Sequence, residues 1–125
     1  MTEKIKTDAV LCALPDEPYE LMRMMSIFLR HKGLETLGAH NREEMLALLE
    51  SHTFRGMITV SSWLPEEEVM AGIVKSVKEI PIIILVEPQH YGLGRLTSIE
   101  VKTNHEWITI PFDIEELFLR VSRWP

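Results

Sequence analysis

Few residues in this chain have the types and spacing that could do chemistry. Asp16 and Glu17 form an acidic pair just past one apolar run, and Ser61 and Ser62 are hydroxyls at the end of another. Adjacent carboxylates suit a hard cation such as magnesium, which takes oxygen ligands. A serine hydroxyl is a weak nucleophile until a base activates it, and no histidine lies near Ser61 in the sequence. His31, His40, His52, His90 and His105 show no spacing suited to a metal site. The single cysteine, Cys12, excludes an intramolecular disulfide, fits a reducing cytoplasm and reads as a small core residue. No nucleophile–base pair or metal cluster can be named, which argues against an enzyme and against a cofactor.

Composition narrows the classes further. The 125 residues fit one domain, with a core that needs no disulfide or metal. A formal charge of −6 argues against direct nucleic-acid binding, because phosphate contacts need a basic surface. No apolar run approaches the ~20 residues of a membrane span, and the first residues lack a signal-peptide core, so the expected location is the cytoplasm.

The elements that must position these residues alternate. Residues 8–15 are an apolar run ended by Pro15, and Asp16-Glu17-Pro18 is a turn into a helix. From Tyr19 to Lys32, Leu21, Met24, Met25, Phe28 and Leu29 recur at helical spacing, with Gly33 placed as the C-terminal glycine. Leu34 to Gly38 is a second strand. Asn41 with Glu44 three residues later makes a capping box before Met45, Leu46, Leu48 and Leu49. The central strand spans Met57–Ser62, uncharged and rich in β-branched residues. Pro65 and Glu66-Glu67-Glu68 suit the start of a third helix.

Pro81 to Val86 is a strand buried on both faces, and Glu87 to Gly94 a loop. Leu96 to Lys102 is a short fourth helix and Glu106 to Ile110 a fifth strand. Asp113, with Glu116 as its partner, caps a final helix whose Leu117, Phe118, Val121 and Trp124 face inward. This alternation predicts an α/β fold, a five-stranded parallel doubly wound sheet with helices on both faces and strand order 2-1-3-4-5. In that order the carboxyl ends of strands one and three flank the switch point, where Asp16, Glu17 and Ser61 are expected to meet.

At this point the sequence resembles the receiver domain of bacterial two-component response regulators, from about Asp8 to Trp124. Asp16-Glu17 stands where receivers carry an acidic pair. A competing register sets Pro15 and Asp16 there; the first keeps the helix through Gly33 ungapped. Ser61-Ser62-Trp63-Leu64-Pro65 resembles the family's Asp-x-x-x-Pro, with the proline in register. Ile110-Pro111-Phe112-Asp113 with Glu115-Glu116-Leu117 resembles its Lys-Pro-Phe-x-x-x-Glu-Leu ending. The matching Xaa-Pro bond in receivers is often cis, which is expected of Ile110-Pro111.

The resemblance also locates departures. The phosphate-accepting aspartate is replaced by Ser61, the hydroxyl residue ending the fourth strand by Val86, and the lysine before the proline by Ile110. Ile110 supplies no cation for a phosphoryl group, and Val86 no hydrogen bond to read it. The resemblance therefore implies a single pseudo-receiver domain over residues 1–125, regulatory and phosphorylation-independent. It would act on a protein partner or as a homodimer through the fourth helix, fifth strand and fifth helix, with Trp107, Glu115, Phe118 and Arg120 on that surface. Trp107 falls at the family's switch-aromatic position. The rival expectation is a switch that keeps a residual metal or small-ligand site at Asp16, Glu17 and Ser61. Either a stand-alone adaptor or one domain of a larger regulator fits the sequence.

Overall fold

A computed structural model describes residues 3–17, 20–67, 80–89 and 105–124. The third helix, beyond its first residues, and the fourth helix expected over 96–102 lie outside the described residues. The chain divides into two compact units, Met1–Ile58 with Pro125, and Thr59–Trp124.

In the first unit β1 (Ile5–Lys6) pairs in parallel with β4 (His52–Thr53), a two-stranded sheet that the sequence pattern does not announce. Val10–Ala13 forms β2, and Thr36–Ala39 forms β3, which starts two residues and ends one residue later than expected. They pair in parallel, Val10 opposite Thr36 through Ala13 opposite Ala39.

Between them α1 (Leu21–His31) buries Leu21, Met25 and Leu29, an i, i+4, i+8 row on one face. Met24, expected on that face, is instead 39% exposed, and Ile27 is exposed beside it. The neighbour that packs on β3 is Met22. A Cβ added at Gly38 would stand 2.9 Å from its sulfur, so the flexible Met22 side chain would have to shift to admit one. Gly33 ends the helix with φ of 91°, as its C-terminal position requires. In α2 (Arg42–Ser51), Asn41 Oδ1 accepts from the Glu44 N–H at 2.8 Å. The Glu44 carboxylate reaches back to the His40 N–H at 2.7 Å, one residue earlier than a capping box predicts.

In the second unit the strand β5 (Gly56–Val60), which begins before the boundary, runs into a short 3₁₀ turn, Ser61–Trp63. Ser61 and Ser62 therefore lie past the strand rather than within it. Then come β6 (Ile82–Val86), β7 (His105–Thr109) and α3 (Ile114–Val121). Asp113 caps α3, its Oδ1 accepting from the N–H groups of Glu115 at 2.9 Å and Glu116 at 3.4 Å. Leu117, Val121 and Trp124 are buried, and Phe118 is half-buried. The main sheet has the order β3-β2-β5-β6-β7, the expected 2-1-3-4-5 once β1 and β4 are set aside. Among the described residues no helix is long and apolar enough to cross a membrane.

Every residue of β2, β5 and β6 is buried. Successive strand residues face opposite sides, so these strands are covered on both faces. Cys12 shares this environment: burial pushes its thiol up to about 11, while the Ser26 hydrogen bond and Arg30 pull the other way.

Two outcomes follow for stability. Asn41→Ala should cost about 1 kcal/mol in urea unfolding, and a change near zero would contradict the cap. The Cys12 thiol is raised above its ordinary 9.0, so the unfolded chain ionises first as pH rises. The stability it contributes is complete below pH 9.0 and disappears as pH climbs to about 11. Cys12→Ala should remove a slope approaching about 1.4 kcal/mol per pH unit in that window. Parallel wild-type and variant profiles would contradict this assignment.

Candidate functional site

The hydroxyl end of the candidate site is built by the 3₁₀ turn after β5. The Leu64 N–H donates to the Ser61 carbonyl at 3.3 Å, which closes the turn and leaves Ser61 fully buried. A buried hydroxyl needs partners, and Glu87, the first residue past β6, is among them. The Glu87 N–H donates to Ser61 Oγ at 3.1 Å. Glu87 Oε1 accepts from the Ser62 N–H at 2.7 Å and from the Ser61 hydroxyl at 3.4 Å. The first of these is short and charge-assisted; the second is long and correspondingly weak.

This is not the arrangement of an activated nucleophile. The hydroxyl lies beyond the ~2.6–3.2 Å reach at which a base takes a proton, and it is closed off from solvent. Chemically, the cluster holds one carboxylate by an amide N–H and a hydroxyl.

Val86 and Ile110 stand at the same end of the second unit. Both are buried, at 6% and 8% exposure, and the Ile110 N–H donates to the Val86 carbonyl at 3.1 Å. This bond continues the β6–β7 ladder one step past the pair Val86–Thr109. The Ile110-Pro111 peptide is cis, as expected. Ser61, Val86 and Ile110 are thus linked through Glu87 and the strand ends.

Asp16 and Glu17 belong to the first unit. Asp16 Oδ1 accepts from the Arg23 N–H at 3.1 Å, and its backbone carbonyl accepts from the Glu20 N–H. The residue at the start of α1, Glu20, has φ of 52° and makes no side-chain cap, so Asp16 satisfies an otherwise unpaired amide of the first turn. Glu17 is exposed.

The proposed contact residues lie on β7 and α3. Trp107 is half-buried, opposite Ile84 in the parallel register. Arg120 bridges strand and helix, with Nη1 at 2.7 Å from Glu106 Oε1 and Nη2 at 3.3 Å from Glu116 Oε1. Burial disfavours its charge, but the hydrogen bonds it donates to Glu106 and Glu116, with their negative charges, outweigh this and raise its pKa. Side-chain exposures of 36% and 38% keep the Arg120–Glu106 pair in the range of about 0–1 kcal/mol. Glu115 is exposed, Phe118 half-buried, and Leu119 is 57% exposed. The fourth helix of the expected face lies outside the described residues.

Sequence reasoning missed Glu87 and Glu106. Glu87 was set in a loop; the available signal was an acid immediately after the apolar run that ends at Val86. Nothing in the sequence pairs Glu106 with Arg120.

No protein-family model matches the chain, and neither does any curated protein. Solved structures do. Chemotaxis response regulator CheY4 of Vibrio cholerae is 26% identical, over 94% of this chain and 98% of that one, with a TM-score of 0.62. The receiver domain of Francisella response regulator 1452 is 17% identical, over 92% and 94%, with a TM-score of 0.63. A transiently phosphorylated "switch" in bacterial signal transduction is 20% identical, over 96% and 95%, with a TM-score of 0.64. The fold is that of receiver domains, flavodoxin-like and fully parallel.

Ser61→Ala leaves the Glu87 N–H without its acceptor and should destabilise the fold by about 1–3 kcal/mol. An unfolding midpoint equal to wild type would show that this latch carries no weight.

Proposed function

We propose that this chain is a single receiver-like domain, residues 1–125, that regulates a bacterial pathway of two-component type by protein–protein contact and without aspartyl phosphorylation. The observation that carries this reading is Ser61. At the position where the resemblance sets the phosphate-accepting aspartate, the chain has a fully buried hydroxyl already engaged with Glu87. Val86 and Ile110 add no donor and no cation beside it, since both are apolar and buried.

Catalysis has no support in this arrangement, so the domain is regulatory rather than an enzyme. It works in the cytoplasm, without direct nucleic-acid or membrane contact, as its charge of −6 favours. Its partner, another protein or a second copy, docks on the fourth helix–fifth strand–fifth helix face with Trp107, Glu115, Phe118 and Arg120. Half-buried Trp107 and Phe118 give such a face its apolar anchors. The rival, a residual metal or ligand site at Asp16, Glu17 and Ser61, has less support: Asp16 already caps α1 and Ser61 already holds Glu87.

An amide NMR titration with millimolar magnesium, then with beryllium fluoride as a phosphoryl mimic, tests the reading. The amides of Asp16, Ser61 and Val86 should stay in place. Saturable shifts there, with Trp107 responding, would falsify phosphorylation independence.

A further inference from the structure

Glu87 holds the Ser61–Ser62 turn at two points. Its backbone N–H donates to Ser61 Oγ at 3.1 Å, and its carboxylate curls back to the Ser62 N–H at 2.7 Å and the Ser61 hydroxyl at 3.4 Å. The residues concerned are 26 and 25 apart in sequence, and they meet because β5 and β6 are neighbours in the sheet. Among the described residues both donors to Oε1 are uncharged, an amide and a hydroxyl, so there the anion is received by dipoles. The hydroxyl donor belongs to a fully buried residue, while Glu87 itself is only half-buried. The donors are thus of two kinds, a buried hydroxyl and the amide of Ser62, an exposed residue.

We propose that the carboxyl end of β5 is an anion site whose resident ligand is the chain's own Glu87 carboxylate, and that with this side chain cut away it takes a small free carboxylate. This deepens the functional reading above, on which it rests, by supplying the anion that would hold the site in one state. A polyanion suits the place poorly: among the described residues the donors are two and neutral, and the chain as a whole carries a charge of −6. A monoanion of acetate size matches what Glu87→Ala removes beyond its Cβ.

The test compares the amide NMR spectra of wild type, Glu87→Ala and Glu87→Gln during titration with sodium acetate, with sodium chloride at equal ionic strength and inorganic phosphate as controls. In Glu87→Ala the Ser61 and Ser62 amides should leave their wild-type positions. Acetate should return them saturably, with a Kd on the order of tens of millimolar, as two hydrogen bonds to an anion provide. Phosphate should do so less well, and wild type should not respond. The Ile84 and Leu85 amides report that the variant is folded.

The proposal fails if acetate moves folded Glu87→Ala no more than chloride does, or if wild type binds acetate at the same residues equally well. Should Glu87→Ala not fold, Glu87→Gln carries the test. There the Ser62 amide proton should move upfield as its acceptor loses charge, and an unmoved proton overturns the assignment. The two readings fail separately. Absent acetate rescue with a silent beryllium fluoride titration sinks only the anion site, whereas a saturable beryllium fluoride response in wild type sinks phosphorylation independence and the resident-ligand assignment together.

Discussion

The burial of the central parallel strands on both faces is the constraint on which the rest of this structure depends. All residues of β2, β5 and β6 are withdrawn from solvent. A strand covered on both sides can use neither face for a charge, because an unpaired buried ion costs far more than its neighbours return. The chain accordingly places Ile82, Ile83, Ile84, Leu85 and Val86 in succession. Thr59 is the one polar residue that β5 admits, and it is fully buried. Polar chemistry is pushed to the strand ends, and there the first available positions are Ser61 and Glu87.

What happens at those ends differs from what happens on the surface. Around Ser61 a buried hydroxyl meets a carboxylate and an amide, so each hydrogen bond matters chiefly because its loss would strand a desolvated group. Around Arg120 the partners remain partly in water, and the same kind of contact is screened. The strand-end contacts therefore carry more weight for the fold than the surface pairs do. The ion pairs on β7 and α3 instead tie the last strand to the last helix at the surface.

Helix ends show how a residue suited to chemistry is absorbed by folding. Asp16, Asn41 and Asp113 each turn a side-chain oxygen to amides in the first turn of the next helix. Asn41 and Asp113 do so from the position immediately before the helix. Asp16 does so from farther back, because Glu20 occupies that place with a left-handed backbone and no cap of its own. Asp16, one of the acidic pair, is thus in part a device for starting α1.

The sequence by itself determined the order and identity of the main elements. Runs such as Pro81–Val86 and caps such as Asn41 and Asp113 depend on residues within a few positions of one another, so their physics is written locally. The parallel order of the five strands followed from their alternation with helices. Tertiary structure decided what turns on distant neighbours. Met24 faces solvent because Leu21, Met25 and Leu29 already fill the row against the sheet. The β1–β4 pair joins two segments too short to carry a pattern. The strand expected to run to Ser62 ends two residues earlier, at Val60, and Glu87 becomes a partner of Ser61, because adjacent strands bring their ends together across 26 residues of chain. A hydrogen bond of that reach is set by which strands neighbour each other, and no local periodicity records it.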